Sequence, residues 1–135
     1  MVSSYSFNVD VVNEKYGSTF VGYFPIKLKI GGWGAAAAVF YQPNPKTELG
    51  HSNYFGLYVD DYCKPVIFNA DYITEGWTGA KADDGELLWS EYRHDFHTSK
   101  DGSVWVDGGF DYIRTDSPNK LVRLNVKDGI VYAEA

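Results

Sequence analysis

One stretch of the sequence holds most of the side chains whose types and spacing suggest chemistry. Between Tyr92 and Arg114 lie two of the three histidines, four aspartates and two arginines. A histidine–aspartate pair can orient an imidazole for acid–base work, and two arginines can clamp a phosphate. The candidate residues for a ligand or partner site are Arg93, His94, Asp95, Asp107, Asp111, Tyr112 and Arg114.

The same stretch raises the question of a metal ion. His94, Asp95 and His97, together with the distant His51, are residue types that bind Zn²⁺. Their spacing matches no metal motif, so we predict no metal and no cofactor, and we keep His51 and His97 as weaker site candidates. No serine or cysteine nucleophile pattern and no glycine-rich phosphate loop is present, so no catalytic residue is predicted and a non-enzyme is favoured. Cys63 is more typical of a packed thiol than of a nucleophile.

A purely structural role accounts for the same residues. In that alternative, Arg93–Asp95 and Arg114–Asp111 are ion pairs and His94 is a hydrogen-bonded, partly buried side chain. The Asp107-Gly108-Gly109 run is then a sharp turn or bulge that needs positive φ. The sequence leaves both alternatives open.

The elements that position these residues are predicted to be strands. Alternation of apolar and polar residues indicates a strand over 5–11 and another over 20–30, where Pro25 places the strand at an edge or at a bulge. A buried strand is predicted over 35–41, a loop over 42–50, and a polar connection over 75–85. The remaining strands are expected at 54–59, 66–73, 86–98, 103–107, 120–126 and 130–134.

Three Asp-Gly pairs stand between these strands and predict hairpin turns, because glycine accepts positive φ without strain. They are Asp84-Gly85, Asp101-Gly102 and Asp128-Gly129. If a four-residue loop is centred on Lys100 and Asp101, His94 lies opposite Asp107 and Phe96 opposite Trp105. A shift of register would change those partners.

Composition agrees with a β-rich fold. The chain has 135 residues, of which 17% are aromatic and fourteen are glycine, the residues that favour pleated strands and tight turns. We predict an all-β fold, with one short helix allowed, whose antiparallel sheets form a compact sandwich or open barrel with a C-terminal hairpin unit. We expect one domain over 1–135, with a β-rich part over 1–75 and an acidic, hairpin-rich part over 76–135.

The charge is unevenly placed along the chain. Up to Val59 there are four basic and three acidic residues, whereas from Asp60 onward there are eight basic and fifteen acidic, within a net charge of −6. An acidic surface repels phosphate, so direct nucleic-acid binding is not expected. One cysteine, no signal peptide and no apolar run of about 20 residues predict no membrane and a cytoplasmic location.

The Arg93-His94-Asp95-Phe96 segment and the Val106–Arg114 segment resemble a group of small proteins encoded by tailed bacteriophages and prophages. The shared core reads Arg-His-Asp-Phe/Tyr, a short turn, then Val/Ile-Asp-Gly-Gly-x-Asp-Tyr-x-Arg, about two dozen of the 135 residues. The 50–55 segment is also similar to that group. The resemblance implies a phage origin and the cytoplasm of a host bacterial cell.

Many members of that group carry a Cys-x-Cys-Gly turn and an earlier cysteine pair, which are similar to a zinc ribbon. Here Ser99-Lys100-Asp101-Gly102 occupies the turn, and no cysteine lies near 87–90. A structural zinc is therefore not expected in this chain.

Three functions follow from these observations. The first is a small, phage-encoded, non-catalytic binding protein that engages or inhibits a host protein through an acidic, aromatic-rich surface, since Tyr and Trp are frequent interface anchors. The second is a protein that binds a small phosphorylated ligand, a nucleotide or a metal, or a hydrolase, built on the Arg93–Arg114 polar hairpin. The third is a structural component of the virion.

Overall fold

The computed structural model describes residues 7–28, 32–60, 62, 64–110 and 112–134. Antiparallel strands dominate these residues, which confirms the predicted all-β class, and one short helix precedes them. The elements are α1 Val9–Tyr16, β1 Thr19–Leu28, β2 Gly32–Tyr41, β3 Tyr54–Val59, β4 Pro65–Asn69, β5 Trp77–Lys81, β6 Leu87–Leu88, β7 Asp95–Thr98, β8 Trp105–Gly108, β9 Ile113–Thr115, β10 Leu121–Lys127 and β11 Ile130–Ala133.

The first sheet has the strand order β1-β2-β3-β4. Pro25 lies in the edge strand β1, and the β1–β2 register shifts between Pro25 and Lys27, so the prediction from this proline is confirmed. The buried strand predicted over 35–41 is part of β2, and the loop after it is also confirmed. The predicted 66–73 strand stops at Asn69, because Asp71–Glu75 forms a 3₁₀ turn instead.

The N-terminal strand predicted over 5–11 is wrong, because the chain is helical from Val9 to Tyr16. Asn8 caps this helix by accepting hydrogen bonds from the backbone N–H groups of Asp10 and Val11. Gly17 ends it in the left-handed conformation. The apolar residues of this segment are compatible with two turns of helix as well as with a strand, and the two caps favour the helix. Residues 1–6 lie outside the described part of the chain.

The second sheet has the order β11-β10-β5-β6. Its strand β5 occupies the segment that the sequence predicted as a polar connection over 75–85, so that prediction is wrong. Trp77 is 2% exposed, and small residues at Gly79 and Ala80 let the neighbouring side chains pack closely against the strand. The segment was predicted as a connection because its composition is polar and rich in glycine, which is not typical of a strand.

The third sheet has the order β7-β8-β9. The strand predicted over 86–98 is split into β6 and β7 by a turn, in which His94 has a φ of 64°. The hairpin between β7 and β8 has a longer loop than expected, since Thr98 pairs with Trp105. Asp95 therefore pairs with Gly108 and Phe96 with Asp107, two residues away from the predicted register.

The sheets lie in layers. Phe24 and Val39 of the first sheet and Trp77 and Leu124 of the second belong to one buried cluster. The opposite face of the first sheet packs against α1 through Val12 and Phe40. The other face of the second sheet packs against the third, through a cluster formed by Ala80, Ala82, Leu88, Val104 and Val106.

Aromatic rings fill the cluster between the first two sheets. The Trp77 ring meets Phe24 edge-on at a centroid distance of 5.0 Å and stacks on Phe110 at 5.8 Å. Trp89 stacks on Phe24 at 5.3 Å and donates its indole N–H to the Tyr23 carbonyl at 2.9 Å. Such contacts are specific in geometry, so this cluster fixes how the two sheets sit on each other.

All three predicted Asp-Gly turns are confirmed. Gly85, Gly102 and Gly129 have positive φ, and each lies between two strands that pair with each other. The first two turns also bind each other. The Asp101 carboxylate accepts hydrogen bonds from the Ser103 N–H at 2.9 Å, the Ser99 hydroxyl at 2.8 Å and the Asp84 N–H at 3.1 Å. The hydrogen bond from the Ser103 N–H contributes most to lowering the pKa of Asp101 to about 2.

Replacing Trp77 by alanine should destabilise the protein by about 3–5 kcal/mol, because it empties the centre of the cluster that joins two sheets. Urea unfolding measures the change. Tyr62→Ala is the control, since that ring is 82% exposed and its loss should change stability by less than about 0.5 kcal/mol. Equal effects of the two substitutions would contradict this packing.

The low pKa of Asp101 predicts a pH dependence of stability. A carboxyl whose pKa is lower in the folded than in the unfolded chain stabilises the fold above the unfolded value, and this stabilisation is lost as pH falls toward about 2. Asp101→Asn should therefore lower the unfolding midpoint at pH 6, and its difference from wild type should shrink on acidification. Asp83→Asn, at an exposed carboxylate 3.6 Å from Lys120, should show a smaller difference at pH 6.

Candidate functional site

The outer face of the third sheet carries most of the predicted site. Side chains alternate along β8, so Val104 and Val106 point into the cluster shared with the second sheet. Trp105 and Asp107 therefore point away from the core. The outer face, as named here, consists of Phe96, Thr98, Trp105, Asp107, Tyr112 and Arg114, with His94 at its end.

A charged pair lies at the centre of the outer face. Asp107 stands opposite Arg114 in the β8–β9 register, and the Arg114 guanidinium donates to Asp107 Oδ2 at 2.6 Å. This bond raises the pKa of Arg114. The Arg114 side chain is 69% exposed and that of Asp107 only 15%. The expected pair of Arg114 with Asp111 is not tested, because Asp111 lies outside the described residues.

One oxygen of the central carboxylate has no donor. Asp107 Oδ1 is buried and no hydrogen bond from the described residues reaches it. An unpaired buried acceptor costs free energy, so Asp107 is held there by Arg114 and by the backbone of its strand rather than by a full set of bonds.

A second polar pair marks the end of the outer face. The Tyr112 hydroxyl and His94 Nδ1 are 2.7 Å apart, and the backbone N–H of His94 donates to the Gly108 carbonyl at 2.6 Å. The predicted hydrogen bond of His94 is thus confirmed, whereas the predicted partial burial is wrong because the residue is exposed. Its positive φ turns the side chain out of the strand alternation.

Two aromatic rings occupy the part of the outer face next to the hairpin loop. Phe96 and Trp105 stack at a centroid distance of 5.0 Å with 28° between the ring planes. They are diagonal neighbours, since Phe96 pairs with Asp107 and Trp105 with Thr98. Phe96 remains 60% exposed, and the backbone N–H of Trp105 donates to the carboxylate of exposed Asp116 at 3.1 Å.

Asp95 belongs to the inner side of the sheet. It is 6% exposed and its carboxylate accepts the Glu91 N–H at 2.9 Å. Burial raises the pKa of Glu91, with a smaller contribution from Asp95. The predicted ion pair with Arg93 is wrong: no ion pair of Arg93 occurs within the described residues, and its side chain is exposed. The carboxylate is bonded to backbone instead.

The remaining candidates are dispersed. His97 points to the face opposite Phe96, and His51 lies in the loop between β2 and β3 of the first sheet. Across the described residues, no group of three or more His, Cys, Asp or Glu side chains is arranged to hold a metal ion. Cys63 is outside the described residues, as Asp111 is.

Gly108 serves the sheet in a different way from the one predicted. It does not have positive φ; instead a Cβ there would lie 2.8 Å from Ile113 Cα and even nearer to the Tyr112 carbonyl oxygen. Glycine thus allows β8 and β9 to approach, which brings Asp107 to Arg114. The predicted positive φ is wrong, and β8 continues through Gly108; the turn to β9 begins one residue later, where the Gly109 N–H donates to the Tyr112 carbonyl at 2.9 Å.

No protein-family model, curated protein or solved structure matches this chain. In the parts of the chain that the structure describes, no helix is long and apolar enough to cross a membrane.

Sequence reasoning missed the two rings as members of the site. The Ser103–Asp107 segment alternates strictly, and its buried valines were a signal that Trp105 and Asp107 share the opposite face. Phe96 joins them only through the register of the hairpin, which the sequence did not determine.

Gly108→Ala should cost about 3 kcal/mol, because its Cβ meets backbone atoms that cannot move without opening the β8–β9 pair. Gly50→Ala is the matched control: its φ is 73° with no atom within 4 Å, so it adds backbone strain alone, about 1 kcal/mol. Chemical denaturation compares them. A smaller cost at Gly108 than at Gly50 would show that the two strands are not in close contact.

Proposed function

We propose that this chain is a small, non-catalytic binding protein that engages a host protein through the outer face of the third sheet. The observation that carries the proposal is the stacked Phe96–Trp105 pair, whose phenyl ring is 60% exposed on a rigid strand. Aromatic side chains held in place and exposed on one side are the usual anchors of protein interfaces.

The surroundings of the two rings suit an interface. Arg114 and Asp107 are bonded to each other, and so are His94 and Tyr112, which supplies polar groups on one side of the aromatic pair. The same mutual bonding argues against catalysis, because His94 Nδ1 and one Asp107 oxygen are already occupied. The protein partner is favoured over a reacting small molecule on this ground.

Charge supports a partner with a basic surface. The two docked turns at the hairpin end of the sheet carry the carboxylates of Asp83, Asp84, Glu86 and Asp101, against Lys100 and Lys120 nearby. With a net charge of −6, the chain attracts basic proteins and repels phosphates. The resemblance to phage proteins supports a bacterial host protein as the partner and the host cytoplasm as the location.

A nucleotide remains a second candidate, because an exposed ring pair next to Arg114 can stack a base. Thermal unfolding against a panel of nucleotides distinguishes it. A bound nucleotide at about a hundred times its Kd stabilises by about 2.7 kcal/mol. A rise of the midpoint that is absent in Arg114→Gln would overturn the protein-binding proposal.

The direct test replaces Phe96 by aspartate. Wild type should capture a host protein in stoichiometric amount from bacterial lysate, and calorimetry with the purified partner should show at least about 30-fold weaker binding to Phe96→Asp, the loss of about 2 kcal/mol that a central aromatic anchor gives. Binding should also weaken as salt rises.

Tyr62→Asp is the matched control, since that residue is an exposed aromatic, at 82% against 60% for Phe96, on the β3–β4 turn of the first sheet. Its affinity should equal that of wild type. Equal binding by Phe96→Asp and wild type would contradict the proposal.

A further inference from the structure

The strand β11 is an edge of the second sheet that lacks a charge, a proline and a bulge, three of the features with which proteins block pairing at an edge. Its sequence is Ile130-Val131-Tyr132-Ala133. Ile130 is 68% exposed and Tyr132 is 40% exposed. Apolar side chains thus flank an open edge.

Edges of the first sheet are protected by comparison. In β1, the Trp89 indole bonds the Tyr23 carbonyl, and the register shifts twice. In β4, the strand begins with Pro65. The contrast makes β11 better suited than β1 or β4 to accept a further strand.

The hydrogen-bonding groups on that edge follow from the hairpin. Lys127 pairs with Ile130 across the Asp128-Gly129 turn, and the Glu134 N–H donates to the Arg123 carbonyl at 2.8 Å. In an antiparallel pair the bonded positions alternate, so the N–H and C=O groups of Val131 and Ala133 point away from β10. Within the described residues, these four groups form no hydrogen bond.

We propose that β11 pairs with β11 of a second copy of this chain, antiparallel and about a two-fold axis at Tyr132. Val131 of each copy then lies opposite Ala133 of the other, and the four outward groups on each strand form four hydrogen bonds between the copies. The two four-stranded sheets become one continuous sheet. This surface is separate from the outer face of the third sheet.

A second copy fits this edge because the register is self-complementary. The two Tyr132 rings face each other in a non-hydrogen-bonded pair, the closest position for cross-strand contacts. In this register, Glu134 of one copy lies beside Ile130 of the second copy. Arg123 of the first copy is 3.9 Å from Glu134, and Lys127 of the second copy pairs with Ile130, so Glu134 lies between two basic side chains. An acidic group meets a basic one at both ends of the pair.

Charge at the two-fold axis supplies the test. Sedimentation velocity over a concentration series should show a monomer–dimer equilibrium for wild type. Tyr132→Lys and Tyr132→Glu should each be monomeric, because like charges then face each other. An equimolar mixture of the two variants should dimerise again. Tyr62→Lys, at an exposed tyrosine elsewhere, should behave as wild type.

Circular dichroism and thermal unfolding establish that each variant is folded, since Tyr132 is on the solvent side of the sheet. Hydrogen exchange adds a second measurement: the amides of Val131 and Ala133 should become protected as protein concentration rises. A wild type that stays monomeric at its highest soluble concentration would overturn the proposal. So would a Tyr132→Lys variant that dimerises as wild type does, or a mixture that does not dimerise while wild type does.

Discussion

The strand β5 of the second sheet is packed on both of its faces, and the rest of the structure depends on that constraint. One face of the sheet meets the first sheet through Trp77 and Leu124, and the other meets the third sheet through Ala80 and Leu88. A strand packed on both sides has little room for large side chains, and at Gly79 of β5 a Cβ would collide with the Leu124 side chain and the Leu88 carbonyl oxygen. The same arrangement holds the short third sheet in place.

Packing against the second sheet holds the outer face of the third sheet in place. Three strands of three or four residues are too short to be stable alone, and Val104 and Val106 anchor them to the second sheet. Gly108 then lets β8 and β9 approach, so that the Asp107–Arg114 pair forms across them. Exposed aromatic rings on such a support lose little freedom on binding, which favours affinity.

Much of the fold could be predicted from local sequence signals. The Asp-Gly turns and Pro25 gave hairpins and an edge strand, because their backbone preferences are intrinsic to the residues. The helix α1 was missed because its caps, Asn8 and Gly17, act against an ambiguous apolar pattern. The strand β5 was missed because its stability comes from non-local packing around Trp77.

The candidate site was predicted in part. The charged residues were found from their types, but their partners were not: Arg114 bonds Asp107, and Asp95 bonds backbone rather than Arg93. Pairing across strands depends on register, and a hairpin loop two residues longer than expected changes every partner. Phe96 and Trp105 were predicted as direct cross-strand partners and are diagonal neighbours instead, still close enough to stack.

Contact between the outer face of the third sheet and a host protein, as we propose, can be tested directly in bacterial cells. A photo-crosslinking phenylalanine derivative is incorporated in place of Phe96 and, separately, in place of Tyr62. We expect a covalent adduct with one host protein from position 96 and none from position 62. An adduct from position 62 alone, or none from position 96, would contradict it.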